Sequence, residues 1–395
     1  MSINFSFTRA PSTKVGVDIE TAGLVAANNT LVLIGHMAAT GSSATANVPY
    51  TVNNYGDEVA AATECDTEFG SGSEIGKMVL AAIKAVKYSD LDNLVQPPIV
   101  VIPIANGDDS SNLAATLAAN QQLPIPFSAI PYAPSDATAL SSYKAHLLLV
   151  SGQDRGSNGQ FGSFGTMASL DTLTNVQTQG ASAASQYIMI PWLRDAGAAN
   201  AVYEVAAAYA AMCAACQVPF LPLNGNIIGK LLQPAARSDW HTAGDTGTEA
   251  LGLAAGVVPL LCDNSGNVKI SRTITSYGPT PGTPAASYYD MQDWQTLYYV
   301  RENAWVLCQQ TRYKRTRMTE AVLKNLRSEI VAQLKTLEGL GMLQYIDKLS
   351  SQFTINSVAG DRFAAVYNFP LNVVPGFHNK GIGIEGTDQF DTFQL

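Results

Sequence analysis

Charge is scarce in this sequence: 14% of its 395 residues are Asp, Glu, Lys or Arg, where about 25% is usual for a soluble domain. What charge there is leans acidic, with 23 basic and 32 acidic side chains and a formal net charge of −9. A general nucleic-acid binder needs a concentrated cationic surface to displace counterions from phosphates, so that class is disfavoured. Long apolar runs are missing as well. The longest, Leu251–Cys262, is broken by two glycines and a proline, well short of the ~20 apolar residues that cross a bilayer. The opening MSINFSFTRAP has no basic stretch followed by an apolar core, so no secretory leader is expected. Five cysteines are too few, and odd in number, for a disulfide framework. A reducing compartment is expected.

Apolar residues are plentiful, at 47%, which supplies a sizeable core and excludes wholesale disorder. Ala, Gly, Ser, Thr and Asn stand where charge would normally be. Such a surface is cheap to desolvate and suits large subunit contacts. The length predicts two or three domains. Both ends read as extended arms, 1–20 and 376–395. Ile3, Phe5 and Phe7 alternate with polar residues, as do Val15, Val17 and Ile19; Ile382 and Ile384 alternate with glycines, and Phe390, Phe393 and Leu395 follow. Period-2 alternation at a terminus fits a strand added to another subunit's sheet edge.

Between the arms, apolar runs at Leu31–Gly35, Ile99–Ile104, Leu147–Val150, Gln186–Trp192 and Pro219–Leu223 predict buried strands. Helices are expected over Ser73–Lys87, Ser111–Gln121, Gly197–Cys216 and Thr246–Ala255, and Gly152–Gly165 reads as a loop. This alternation predicts an α/β layered region over 21–255, with a division near 95. A boundary is placed near 255 because the pattern then changes. Val257–Cys262 and Val268–Tyr277 flank a turn-rich link and predict a hairpin; helices Asp290–Arg312 and Thr319–Leu340 follow, then strands Gln352–Val358 and Arg362–Val374. The region 256–375 is therefore expected to be an α+β domain.

Motifs for chemistry fail one by one. Gly70-Ser-Gly72-Ser-Glu-Ile-Gly76 approaches a dinucleotide fingerprint, but polar, acidic Glu64–Phe69 stands where a buried strand is required. A helix start capped at Ser71 or Ser73 is the better reading. Gly76-Lys77 and Gly229-Lys230 lack the Ser or Thr of a P-loop. Cys213-Ala-Ala-Cys216 has redox spacing without its context, and small buried cysteines explain it better. His36, His146, His241 and His378 are scattered without ligand spacing, so no metal is expected. Ser238-Asp239-Trp240-His241 is mere adjacency, whereas a triad is assembled in space. No catalytic residue, cofactor or metal is assigned.

Charge does gather over 301–335, where eight basic side chains face three acidic ones. Arg312, Lys314, Arg315 and Arg317 are its centre, and segregation of this kind suits an acidic partner.

The order of features resembles the tail sheath proteins of contractile-tailed bacteriophages, nearest the Mu-like kind. The matching pieces are Leu31-Val-Leu-Ile-Gly35, Asn47-Val-Pro-Tyr-Thr-Val52 and Phe69-Gly-Ser-Gly-Ser73 before a helix. More specific are Gly256-Val-Val-Pro-Leu-Leu-Cys-Asp263 followed by Val268-Lys-Ile-Ser-Arg-Thr-Ile-Thr-Ser-Tyr277, then Asp293-Trp294, Tyr298-Tyr299-Val300-Arg301 and the basic turn Tyr313–Arg317. The resemblance implies a non-enzymatic structural subunit with a mixed α/β fold: an α/β middle domain, an α+β carboxy-terminal domain facing the tail tube, and two extended arms. It implies a helical homopolymer of stacked rings with tail tube, baseplate and tail terminator as partners. Neither nucleic acid nor membrane is implied as a direct partner. The subunit would be part of the virion tail, assembled in the host cytoplasm, and contraction would drive the tube through the host envelope. The rival readings are an α/β enzyme, hydrolase or nucleotide-binding, with an unrecognised site, and a tail tube or other virion protein.

Overall fold

The computed structural model describes residues 29–91, 94–123, 125–151, 162–193, 200–228, 247–262, 267–277, 290–314, 317, 319–358 and 361–374. Its centre is a six-stranded sheet of β1 (Leu31–His36), β2 (Tyr50–Thr51), β3 (Ile99–Ile104), β4 (Phe127–Ala129), β5 (Phe164–Thr166) and β6 (Ile188–Met189), in the order β2-β3-β1-β4-β5-β6. All neighbours are parallel except the edge strand β2, which runs antiparallel to β3. The order of strand addition thus reverses at β1, with β3 on one side and β4 on the other, the doubly wound arrangement.

Helices cover both faces. Leu31 and Leu33 of β1 join a core with α1 (Glu58–Phe69), α2 (Glu74–Lys87) and α6 (Val202–Ala215). Val32 and Ile34 point the other way, into a core with α3 (Ser110–Ala119), α4 (Ala137–Ser151) and α5 (Leu173–Ala183). Burial on both sides is why β1 and β3 are continuous apolar runs rather than alternating ones. Gly35 lets β1 lie against α2, since a Cβ there would stand 2.8 Å from the Met78 sulfur. The helix starts are written locally. Asp57 accepts from Val59 and Ala60 N–H, Ser73 from Gly76 N–H, Asp109 from Ser111 N–H, and Asp136 from Thr138 and Ala139 N–H. Each satisfies donors that the first turn leaves open.

Next along the chain are α7 (Thr248–Ala254) and a second sheet of β7 (Pro191–Trp192), β8 (Val258–Cys262) and β9 (Val268–Ile270), with β7 parallel and β9 antiparallel to β8. Elements on the two sides of residue 255 therefore share a sheet. They share a core too, because Val258, Leu260, Ile274 and Met291 belong to the cluster that holds α2 and α6. The remainder consists of α8 (Met291–Gln309), α9 (Thr311–Lys314), α10 (Glu320–Gly339), α11 (Ile346–Leu349) and the ribbon β10 (Thr354–Val358) with β11 (Asp361–Asn368). Their own core gathers Tyr299, Leu307, Leu326, Ile330, Leu334, Leu337, Leu343 and Phe353 around Phe220.

The mixed α/β architecture agrees with the sequence, and several elements differ in detail. Leu147–Val150 lies inside α4, not in a strand. Its buried positions, Ala139, Leu140, Tyr143, Leu147 and Val150, repeat every three or four residues, and Leu148 and Leu149 face outward. An unbroken apolar run of that length has no period to separate strand from helix. Pro219–Leu223 forms no strand. Gln186–Trp192 is two short strands, one in each sheet. Only Val268–Ile270 of the second hairpin arm is strand, and β11 ends at Asn368. Phe164–Thr166, at the end of the glycine-rich loop, is strand. Gly165 is required there because a Cβ would lie 2.5 Å from the Tyr143 ring.

Candidate assembly surface

The basic segment spans α8, α9 and α10, and much of its charge is satisfied inside the chain. Arg301 donates to the Ser151 carbonyl at 3.3 Å and lies over the Tyr298 ring. Arg327 donates to the carbonyls of Ser350 and Phe353, which fixes the turn before β10 onto α10. Lys324 pairs with Glu320 and Lys335 with Asp347. Among the residues proposed for partner contact, Arg312 is exposed yet paired with Glu329 at 2.6 Å, donates to Gln310 and lies over Tyr313. Arg317 is exposed. Lys314 ends α9, and Arg315 falls outside the described residues. The cationic surface is thus narrower than the eight basic residues suggested.

Ribbon β10–β11 is the other open feature. Among the described residues these two strands pair only with each other, although an isolated two-stranded ribbon is marginal in water. Just outside its two ends, Phe353 of the carboxy-terminal core meets Phe369 edge-on with ring centroids 5.0 Å apart. The arm residues Ile3, Phe5, Phe7, Ile382, Ile384, Phe390 and Phe393 lie outside the described residues.

A polar cluster that the sequence did not disclose sits at the carboxyl end of β1, beside the switch point of the sheet. Glu74, at the start of α2, pairs with His36 Nδ1 and accepts the His36 backbone N–H. His36 Nε2 meets the Asp108 carbonyl at 2.9 Å and the Tyr132 hydroxyl at 3.2 Å. The hydrogen bond to Glu74 raises the imidazole pKa against the opposing effect of burial. Both ring nitrogens are engaged, and no serine or cysteine is among their partners. The cluster therefore ties β1, α2 and two loops together. Sequence spacing could not reveal it, because Glu74 and Asp108 are 38 and 72 residues away.

The remaining motifs resolve into structure. Gly70 and Gly72 adopt positive φ ahead of the Ser73 cap, and Glu74 puts a carboxylate on the helix start where a phosphate would otherwise sit. Cys213 and Cys216 are buried at the end of α6; desolvation raises the Cys213 pKa and pushes that of Cys216 up to about 12. Thiols held protonated are poor nucleophiles. Ser238–His241 and His378 lie outside the described residues. Among the described residues no cluster of His, Cys, Asp or Glu could hold a metal ion, and no helix is long and apolar enough to cross a membrane.

No family model matches the sequence, and no curated protein matches it either. Solved structures do. A sheath tail protein from Listeria innocua is similar at a TM-score of 0.63 and 11% identity, covering 91% of this chain and 96% of its own. A chain of the anti-feeding prophage baseplate is similar at 0.62 and 9% identity, covering 98% of both chains. A chain of the sheath complex of an extracellular contractile injection system, in its contracted state, is similar at 0.57 and 8% identity, covering 98% and 99%. At such identities what is common is the fold, and it runs from end to end. The chain has the fold of contractile tail sheath proteins.

Proposed function

We propose that this chain is a structural subunit of a contractile tail or injection-system sheath. It polymerises helically around an inner tube, and its contraction drives the tube through a target envelope. The observation that carries this reading is the end-to-end likeness to a chain of a six-fold symmetrised contractile-system baseplate, 98% of both chains, and to a sheath tail protein, 91% of this chain and 96% of that one. Composition supports it. A surface poor in charge is cheap to bury in repeated contacts, and head-to-tail contacts that do not close generate helices. In this reading, 1–20 and 376–395 are arms that add strands to neighbours, and the edges of β10–β11 that no other described strand covers are where such strands can bind. The carboxy-terminal region 256–375 faces the tube, and Arg312, Lys314, Arg315 and Arg317 steer it onto an acidic tube surface. Tube, baseplate and terminator are the further partners. The sheath belongs to a bacteriophage virion and forms in the host cytoplasm.

Negative-stain microscopy with sedimentation of the purified chain tests the reading. Long tubes or polysheath are expected; a sharp monomer or dimer peak at all concentrations would overturn it. Removing 1–20 or 376–395 is expected to leave a folded chain that no longer forms tubes. Changing Lys314, Arg315 and Arg317 to Glu is expected to spare tubeless polysheath and abolish decoration of purified tube.

A further inference from the structure

The sequence carries three Asn-Gly dipeptides, Asn106-Gly107, Asn158-Gly159 and Asn224-Gly225. In such a pair the backbone nitrogen of the glycine can reach the asparagine side-chain carbonyl, because no Cβ stands in its way. Whether it does so depends on what holds the intervening peptide. Asn158 and Gly159 lie outside the described residues, and the other two pairs are held in opposite ways.

Asn224 and Gly225 are fastened. Gly225 N–H donates to the Ile270 carbonyl at 2.6 Å, the Asn224 carbonyl accepts from the Asn226 side chain at 3.3 Å, and Asn224 Oδ1 accepts from Thr273 N–H at 3.3 Å. Asn106 and Gly107 form the tip of the turn between β3 and α3, and both are exposed. Asp108 N–H closes that turn on the Ala105 carbonyl at 3.2 Å, and Gly107 takes a φ of 84°. Neither the Asn106 side chain, the Asn106 carbonyl nor the Gly107 N–H has a hydrogen-bond partner among the described residues. A Cβ built on Gly107 would meet nothing within 4 Å. This peptide can therefore rotate toward the Asn106 side chain without giving up a bond of its own, and exposed loop tips open at little cost.

We propose that Asn106 is a site of spontaneous modification, converted through a succinimide shared with Gly107 into aspartate and isoaspartate, and that the fold protects Asn224. Hydroxide takes the Gly107 amide proton, and the nitrogen attacks Asn106 Cγ. An N–Cγ bond forms, the Cγ–Nδ2 bond breaks, and Nδ2 takes a proton from water and leaves as ammonia. Water then opens the ring at either carbonyl. One opening gives aspartate, and the other gives isoaspartate, whose backbone is longer by one carbon. Nothing is oxidised or reduced. Both products place a new carboxylate beside Asp108 and Asp109. The isoaspartyl product also displaces the chain next to the Asp108 carbonyl that meets His36 Nε2, so modification bears on the tie at the switch point of the sheet.

Incubation of the full chain in mildly alkaline buffer, followed by peptide mapping with mass spectrometry, tests the proposal. The peptide carrying Asn106 is expected to gain the mass difference between an amide and an acid, and to become a methyl acceptor for isoaspartyl methyltransferase. The peptide carrying Asn224 is expected to convert at least about tenfold more slowly, since reaction there waits on the opening of bonded backbone. In guanidinium chloride the two rates are expected to converge, because the dipeptide is the same and only the fold separates them. Asn106→Gln is expected to remove the fast conversion with circular dichroism unchanged. Equal rates in the folded chain, an Asn106 that stays an amide, or a rate gap that persists in guanidinium chloride would overturn the proposal.

Discussion

Helices α6 and α8 both pack against the same sheet region, yet they are built on opposite terms. Every residue of α6 from Val205 to Ala215 is buried, and nearly all are Ala, Val, Met or Cys. A helix that is apolar all round belongs between layers, and alanines let α2 approach it closely. In α8 the buried set includes Gln292, Gln295, Thr296 and Asn303. One helix buries almost nothing polar beyond the Tyr209 hydroxyl. The other keeps polar groups beneath the surface, where each is costly unless bonded. The first region can be expected to tolerate little change, and the second to respond to pH.

The sharpest way to break the contrast is a charge in α6. Ala211→Asp places an unpaired carboxylate at a fully buried position and is expected to cost about 4 kcal/mol or more, unfolding or aggregating the chain. The matched change Ala332→Asp, on the exposed face of α10, is expected to stay within about 0.5 kcal/mol by urea denaturation.

Replacing Glu302 sharpens the α8 side. Its folded carboxyl titrates near 7, above the ordinary value of about 4.3. The folded state therefore holds the proton more tightly, and stability falls as pH rises from about 4 to 7, then levels. Glu302→Gln removes that fall. The variant is expected to match wild type near pH 4 and to exceed it by about 1–2 kcal/mol at pH 8, since solvent still reaches part of the carboxyl. Equal urea midpoints at pH 8 would show that the carboxyl is already satisfied.

Smaller effects belong to the local ties. Ser73→Ala removes the bond to Gly76 N–H at the start of α2 and is expected to cost about 1 kcal/mol, seen as a shifted midpoint with unchanged slope. At His36 the sign is the same as at Glu302, because both pKa values are raised in the folded state. Its pKa is raised by the bond to Glu74, so its contribution is complete below the ordinary histidine value of about 6.5. It is lost as pH rises through the folded value. The stability gap between wild type and His36→Gln is expected to shrink by about 0.5 kcal/mol between pH 6 and pH 9, a small effect because the pair is partly exposed.

Residues close in sequence explain what could be read directly. Ser73 and Asp290 announce helix starts by bonding N–H groups two or three positions on. Leu31–Gly35 and Ile99–Ile104 are apolar on successive residues because both sheet faces are covered. Leu147–Val150 defeated the same logic, since four apolar residues in a row fit a strand and a helix equally and only the packing of α4 chose. The basic segment was visible as composition, but its free charge was not. Arg301, Arg327 and Lys335 find partners in Ser151, Ser350 and Asp347, and each partner is brought in by the fold.

Local sequence determined the helix caps, the buried parallel strands, the α8 and α10 helices and the failure of every catalytic spacing, because these depend on neighbours a few bonds apart. Tertiary structure alone decided the strand order, the split of 186–192 between two sheets and the His36–Glu74 tie. Those features join residues tens to hundreds of positions apart. No local preference encodes such a meeting, and only burial of the whole core brings it about.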